Sequence, residues 1–152
     1  MASLPQGYRA LVIGSSGAIG AAFIEHLHQD PRCAAVIGLH RHSDPAIDFS
    51  DEASLAAAAA TLAGGPPFHL LINAAGLLHT PRFMPEKKLS DLQLAQMLET
   101  FQANAFGPAL LLRHFTGLLA AERGLMAMLS AKVGSIGDNR LGGWYSYRAS
   151  KA

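Results

Sequence analysis

Cysteine is nearly absent from this 152-residue chain. Cys33 stands alone, which excludes an intrachain disulfide and a cysteine-based zinc site and fits a reducing compartment. Charge is also sparse. Only 15% of residues are charged, and the twelve Lys and Arg residues balance eleven Asp and Glu to leave a formal +1. The basic residues are scattered, so no electrostatic footprint for nucleic acid exists. No apolar run is long enough to span a membrane. The opening MASLPQGYRA carries neither a charged n-region nor an apolar h-region, so no secretory signal is expected. The seven histidines include two i, i+2 pairs, His26/His28 and His40/His42, and such a pair does not share a helix face. No metal site is expected. What remains is a chain that is half hydrophobic and large enough to bury a core, with a cytoplasmic location as the default.

The hydrophobic residues are organised in alternating short runs and helical stripes. Ala10–Ile13 (ALVI) and Ala34–Leu39 (AAVIGL) read as buried parallel strands, separated by a helix with Ile19, Phe23 and Leu27 on one face. Asp30-Pro31 ends that helix. Residues 50–62 predict a second helix capped by Ser50 and stopped by Gly64-Gly65-Pro66-Pro67. FHLLI (68–72) and LMAMLS (125–130) are further strands, with Met126 and Met128 as core filler. Between them a long helical stretch runs from Ser90, with Leu94, Leu98, Phe101 and Ala105 on one face and an interruption at Gly107-Pro108. A last helix starts near Trp144. Residues 46–49 are too close to the second strand for a parallel crossover, so a fifth strand there is doubtful. The alternation predicts an α/β fold, a doubly wound and mostly parallel sheet of the Rossmann type, occupying residues 1–152 as one dinucleotide-binding domain.

Three glycines, Gly14, Gly17 and Gly20, follow the first strand directly and open the first helix. A turn without Cβ atoms lets a pyrophosphate reach free N–H groups at the positive end of the helix. Gly14, Ser15, Ser16, Gly17, Ala18, Ile19 and Gly20 are therefore candidate cofactor-binding residues. At the end of the second strand, where an NAD-binding protein usually carries an acid, this chain has His40 and Arg41. A guanidinium there suits a 2′-phosphate, which predicts NADP(H) rather than NAD(H). Tyrosine is scarce, three in the chain, yet Tyr147 stands four residues before Lys151. That spacing puts both on one helix face. Reduction of a carbonyl needs a proton donor at oxygen, and Tyr147 is the candidate. A cation ~5 Å away at an effective dielectric of ~20 favours its phenolate by ~3 kcal/mol.

The ordered series GSSGAIG, LLINAAG, FQANAFG, a serine after a late strand, and YRASK resembles the short-chain dehydrogenases/reductases. Within them SAKVGSIGDNRLGGWYSYRASKA is similar to the C-factor-like carbonyl reductases. The resemblance implies further roles. Lys151 would also hold the nicotinamide ribose, and Asn104 would complete a water-linked proton relay. Asp48 and Phe49 would lie along the adenine, and Asn73, Ala74, Ala75 and Gly76 would support the adenosine side. The serine that binds the substrate carbonyl is either Ser130, at the strand end and favoured, or Ser135. Ala131 stands where the family commonly has a second serine, Ala18 where it often has its middle glycine, and NAAG where Asn-Asn-Ala-Gly is commoner. The expected activity is interconversion of a carbonyl and a secondary alcohol, on a small-molecule substrate, in a homo-oligomer (dimer or tetramer). The alternatives are a C-factor-like nucleotide-binding signalling protein without turnover and an inactive fragment. The family's fold continues beyond the counterpart of Ala152. The resemblance thus implies a C-terminally incomplete fold, and residues 1–152 alone are expected to associate abnormally and to show negligible activity.

Overall fold

The computed structural model describes residues 3–152. Four strands, β1 (Tyr8–Ile13), β2 (Cys33–Leu39), β3 (Leu70–Asn73) and β4 (Leu125–Met128), form one sheet in the order β2-β1-β3-β4. Every pairing is parallel: Ile13 sits opposite Leu39 on one side and Asn73 on the other, and Asn73 opposite Met128. Alternate residues of β1 serve two cores. Leu11 and Ile13 join Leu39, Leu55, Leu71, Leu111 and Phe115 on one face. Tyr8, Ala10 and Val12 join Leu27, Leu70 and Ile72 on the other. Helix α1 (Ala18–Gln29) supplies Leu27 to the second core, whereas α2 (Glu52–Ala63) and α4 (Gly107–Phe115) supply the first. Both faces are covered, and the sheet is doubly wound. The fold class expected from the alternation of strands and helices is the one observed.

Several local expectations change. Helix α2 is capped by Asp51, whose carboxylate accepts from the Ala53 N–H at 3.0 Å, rather than by Ser50. Ser50 instead bonds back to Asp48. Residues 46–49 form no strand, as the short spacing from β2 requires. The long helical stretch is α3 (Leu94–Phe101), a π turn (Gln102–Phe106) and α4. Its interruption thus falls before Gly107-Pro108, and the Phe49 side chain packs where a Cβ on Gly107 would stand. The apolar stripe read on α3 faces outward: Leu94 is 71% and Leu98 56% exposed. Gln96, Thr100 and Asn104 are buried instead. Ile19 is likewise exposed at 60% while Leu27 is buried, so the α1 stripe is only partly a core stripe.

The order of the strands positions the site. After β1 the chain passes to β2 on one side, and after β2 it crosses back to β3 on the other. A crevice opens at the carboxyl ends of β1 and β3, where such a sheet binds its ligands. Helix α5 (Tyr145–Lys151) packs against α3 and the π turn at the same end.

Candidate active site

Three strand ends are tied together at the crevice. The N–H of Gly14 donates to the Leu39 carbonyl at 2.8 Å, and that of Ala74 to the Ile13 carbonyl at 2.9 Å. Asn73 is buried, and its side-chain oxygen accepts from the Ala75 N–H at 3.1 Å, which shapes the turn after β3. The two turns touch. Gly14 has φ +79°, and a Cβ there would lie 2.7 Å from the Ala75 nitrogen, so neither the dihedral nor the space admits another residue.

The groove running from this junction has a volume of about 960 Å³. Gly14, Ser16 and Gly17 line its floor, His40, Arg41, Asp48 and Phe49 one end, and Ala74, Ala75 and Gly76 the wall. Gly20 and Asn73 are buried next to this lining, whereas Ser15 and Ala18 belong to the same turn without lining the groove, and Ala18 is exposed. Gly17 is the N-cap of α1 and has no side-chain cap. The first turn of α1 carries no acid, so its N–H groups and positive dipole remain available to an anion. The glycine turn therefore fits a pyrophosphate. At the far end the sequence reading missed an electrostatic feature. Asp48 is held below the usual carboxylate range, first by the backbone and side-chain hydrogen bonds of Ser50, and also by the charge of Arg41. Arg41 is exposed and faces a neighbouring negative charge that its local sequence did not reveal.

A second recess, of about 460 Å³, shares Ala74, Ala75, Gly76 and Leu77 with the groove. Tyr147, Lys151, Ser130 and Ile19 line it. Lys151 Nζ stands 6.0 Å from the centre of the Tyr147 ring and donates to the Leu129 carbonyl at 2.9 Å. Burial pushes the Lys151 ammonium below its ordinary value of 10.5. Trp144 meets the Tyr147 ring edge to face, with centroids 6.2 Å apart. The hydroxyl of Ser130 donates to the Lys151 carbonyl at 2.8 Å. Ser135 is exposed, lies outside both recesses, and accepts from the Asp138 N–H at 3.3 Å.

Asn104 sits in the π turn, and its amide is fully engaged. The side-chain oxygen accepts from the Leu77 N–H at 2.7 Å; the nitrogen donates to the Leu77 carbonyl at 2.8 Å and to Ser150 Oγ at 3.0 Å. It thereby joins the turn after β3 to α5. A Cβ on Gly76 would lie 3.2 Å from both Asn104 Oδ1 and Lys151 Nζ, so both groups crowd that glycine. The structure thus gathers Tyr147, Lys151 and Ser130 at one recess, with Asn104 directly behind it. Ser150, Ser146 and Glu86 carry no motif, and their pairings, Ser150 with Asn104 and Ser146 with Glu86, span 46 and 60 positions of sequence.

No family model matches the chain. A curated relative, 1-hydroxy-2-glutathionyl-2-methyl-3-butene dehydrogenase from Rhodococcus sp. (strain AD45), is 28% identical over 152 aligned positions, covering 93% of this chain. The chain spans 64% of that relative's length. Among solved structures, the NADPH-bound carbonyl reductase from chicken fatty liver superposes with a TM-score of 0.80 at 24% identity, over 98% of this chain and 67% of that one. The carbonyl reductase Sniffer of D. melanogaster gives 0.80 at 20% identity, over 94% and 69%. Those likenesses establish the fold: it is the one found in short-chain dehydrogenases and carbonyl reductases.

Proposed function

We propose that this protein is an NADP(H)-dependent oxidoreductase that interconverts a carbonyl and a secondary alcohol. The observation that carries the proposal is the junction of the two recesses. The glycine turn and Arg41 line one, Tyr147, Lys151 and Ser130 line the other, and Ala74 to Leu77 form their common wall. The cofactor, when bound, supplies hydride to the carbonyl carbon or removes it from the alcohol. Tyr147 gives a proton to the carbonyl oxygen in reduction and takes one from the alcohol in oxidation. Lys151 stabilises the phenolate left on Tyr147 and contacts the nicotinamide ribose. Ser130 holds the substrate oxygen, exchanging its present bond to the Lys151 carbonyl for one to substrate. Asn104 holds the wall to α5 and stands on the proton path from Lys151. Asp48, Phe49 and Asn73 belong to the adenosine side. As proposals of the same kind, the protein works in the cytoplasm as a homo-oligomer on small molecules. The test is a screen of aldehydes, ketones and quinones with NADPH and the full-length protein. Consumption of NADPH with formation of an alcohol is expected; tight NADPH binding with no turnover on any of them would favour a nucleotide-binding protein instead.

Two predictions refine this reading. NADPH is expected to bind more tightly than NADH because Arg41 pairs with the additional phosphate, a charge-assisted contact of ~1.5–3 kcal/mol, or roughly 10- to 150-fold. The neighbouring Asp48 offsets part of that field, placing the preference toward the lower end. Titration of both cofactors into wild type and Arg41→Ala checks it; equal preference in the two proteins contradicts it. For the serines, Ser130→Ala is expected to lower turnover roughly 10- to 100-fold by removing a hydrogen bond to a developing charge. Ser135→Ala should change it less than about 2-fold, as an exposed side chain away from both recesses does. The reverse ranking in parallel kinetics would transfer the role to Ser135.

A further inference from the structure

Glu86 is a carboxylate that neither the cofactor groove nor the proton path uses, yet it is only 2% exposed. It lies in the loop between β3 and α3, sixty residues from its partners. Both of its oxygens point at the start of α5. One accepts from the Ser146 hydroxyl and the other from the Ser146 N–H at 3.4 Å. The Glu86 backbone carbonyl accepts from the Trp144 N–H at 2.5 Å. No ion pair to Glu86 forms among the described residues.

Helix α5 needs such a partner. Its N-cap, Trp144, has φ +51° and makes no side-chain cap. A carboxylate at this end satisfies orphan N–H groups and is favoured by the dipole. The loop that presents Glu86 is itself pinned. Gln96 donates to the Met84 carbonyl at 3.1 Å, and the Lys87 and Lys88 N–H groups donate to Asp91 at 3.0 and 3.1 Å. Glu86 thus connects a fixed loop to the residue directly before Tyr147.

We propose that Glu86 is a positioning residue: its buried carboxylate caps α5 through Ser146 and so sets where Tyr147 and Lys151 stand at the recess. The proposal rests on the oxidoreductase reading for its catalytic consequence, not for its structural one. Misplacement of an acid–base group by about 1 Å costs up to ~10²-fold in rate. Glu86→Ala is therefore expected to lower kcat roughly 10- to 100-fold while the Kd for NADPH changes less than about 5-fold, because Glu86 does not line the groove and only the ribose contact proposed for Lys151 moves with α5. Glu86→Gln keeps an acceptor for the N–H and a donor for the Ser146 oxygen. It loses only the charge–dipole contribution and should retain about a fifth of wild-type kcat or more. A role in general packing would instead lower kcat and weaken cofactor binding together, with no rescue by glutamine.

The experiment pairs these kinetics with amide hydrogen exchange on the full-length protein. In Glu86→Ala, residues 144–151 should lose protection while β1 and β3 keep theirs. Unchanged protection of 144–151, or an unchanged kcat in an active enzyme, overturns the proposal. Should Glu86→Ala fail to fold, Ser146→Ala, which removes the hydroxyl to Glu86, must still lower kcat while the NADPH Kd stays within the same limit; unchanged kcat overturns the proposal equally. If wild type shows no turnover on any carbonyl while Glu86→Ala still loses protection in 144–151, the oxidoreductase reading fails and the capping stands.

Discussion

Tyr147→Phe is expected to reduce carbonyl reduction by about 10²- to 10⁴-fold, the contribution typical of a positioned acid–base group. The substitution removes one oxygen and leaves the ring. Its edge-to-face contact with Trp144, at 6.2 Å, should persist, as should the Lys151 bond to the Leu129 carbonyl. NADPH affinity should stay within about 3-fold, because the phosphate and adenosine contacts proposed for Arg41 and the glycine turn lie in the groove that Tyr147 does not line. Steady-state kinetics alongside a cofactor titration separate the two quantities. A Tyr147→Phe protein with most of its turnover intact would assign the proton to another group.

Lys151→Met is expected to reduce turnover by about 10²- to 10³-fold, since ~3 kcal/mol of phenolate stabilisation disappears with the cation. Its effect on stability runs the other way. Burial holds the Lys151 ammonium below its ordinary 10.5, so between that lowered value and 10.5 the unfolded chain carries a proton the folded chain does not. Stability from this group therefore rises with pH across that window, and below it the half-buried charge costs folding free energy. Methionine has no such cost, and it gives up one hydrogen bond to Leu129, worth about 1 kcal/mol. The Tm at neutral pH should equal or exceed that of wild type. A fall of more than ~4 °C, about 1 kcal/mol, would show that the lysine stabilises the fold instead.

What could be read in the sequence was local. The glycine turn announces itself because the requirement at Gly14 is a backbone dihedral and a close approach, both fixed within a few residues. Tyr147 and Lys151 are legible because a helix turn alone brings them to one face. The alternation of β1 between two cores is equally a short-range pattern. Contacts that cross the fold left no such trace. Nothing in the polar stretch RFMPEKK (82–88) sets Glu86 apart, and its partner Ser146 stands sixty positions further on. Asp48 seemed remote from Arg41 until the segment after β2, lacking a strand or helix, folded back toward it. The stripe on α3 was a correct period with the wrong direction. Periodicity finds a face, and tertiary packing decided that Thr100 and Asn104 rather than Leu94 and Leu98 turn inward.

Hydride transfer is the step that separates an oxidoreductase from a protein that only binds a nucleotide in this fold. It can be followed directly by supplying the full-length protein with NADPH deuterated on the reactive face of the nicotinamide and a carbonyl substrate found in the screen. The predicted result is an alcohol heavier by the mass of the transferred deuterium, with the label on the former carbonyl carbon and its formation lost in Tyr147→Phe. An alcohol without the label from cofactor deuterated on either face, or labelled alcohol formed equally well by Tyr147→Phe, would contradict the chemistry assigned to this recess.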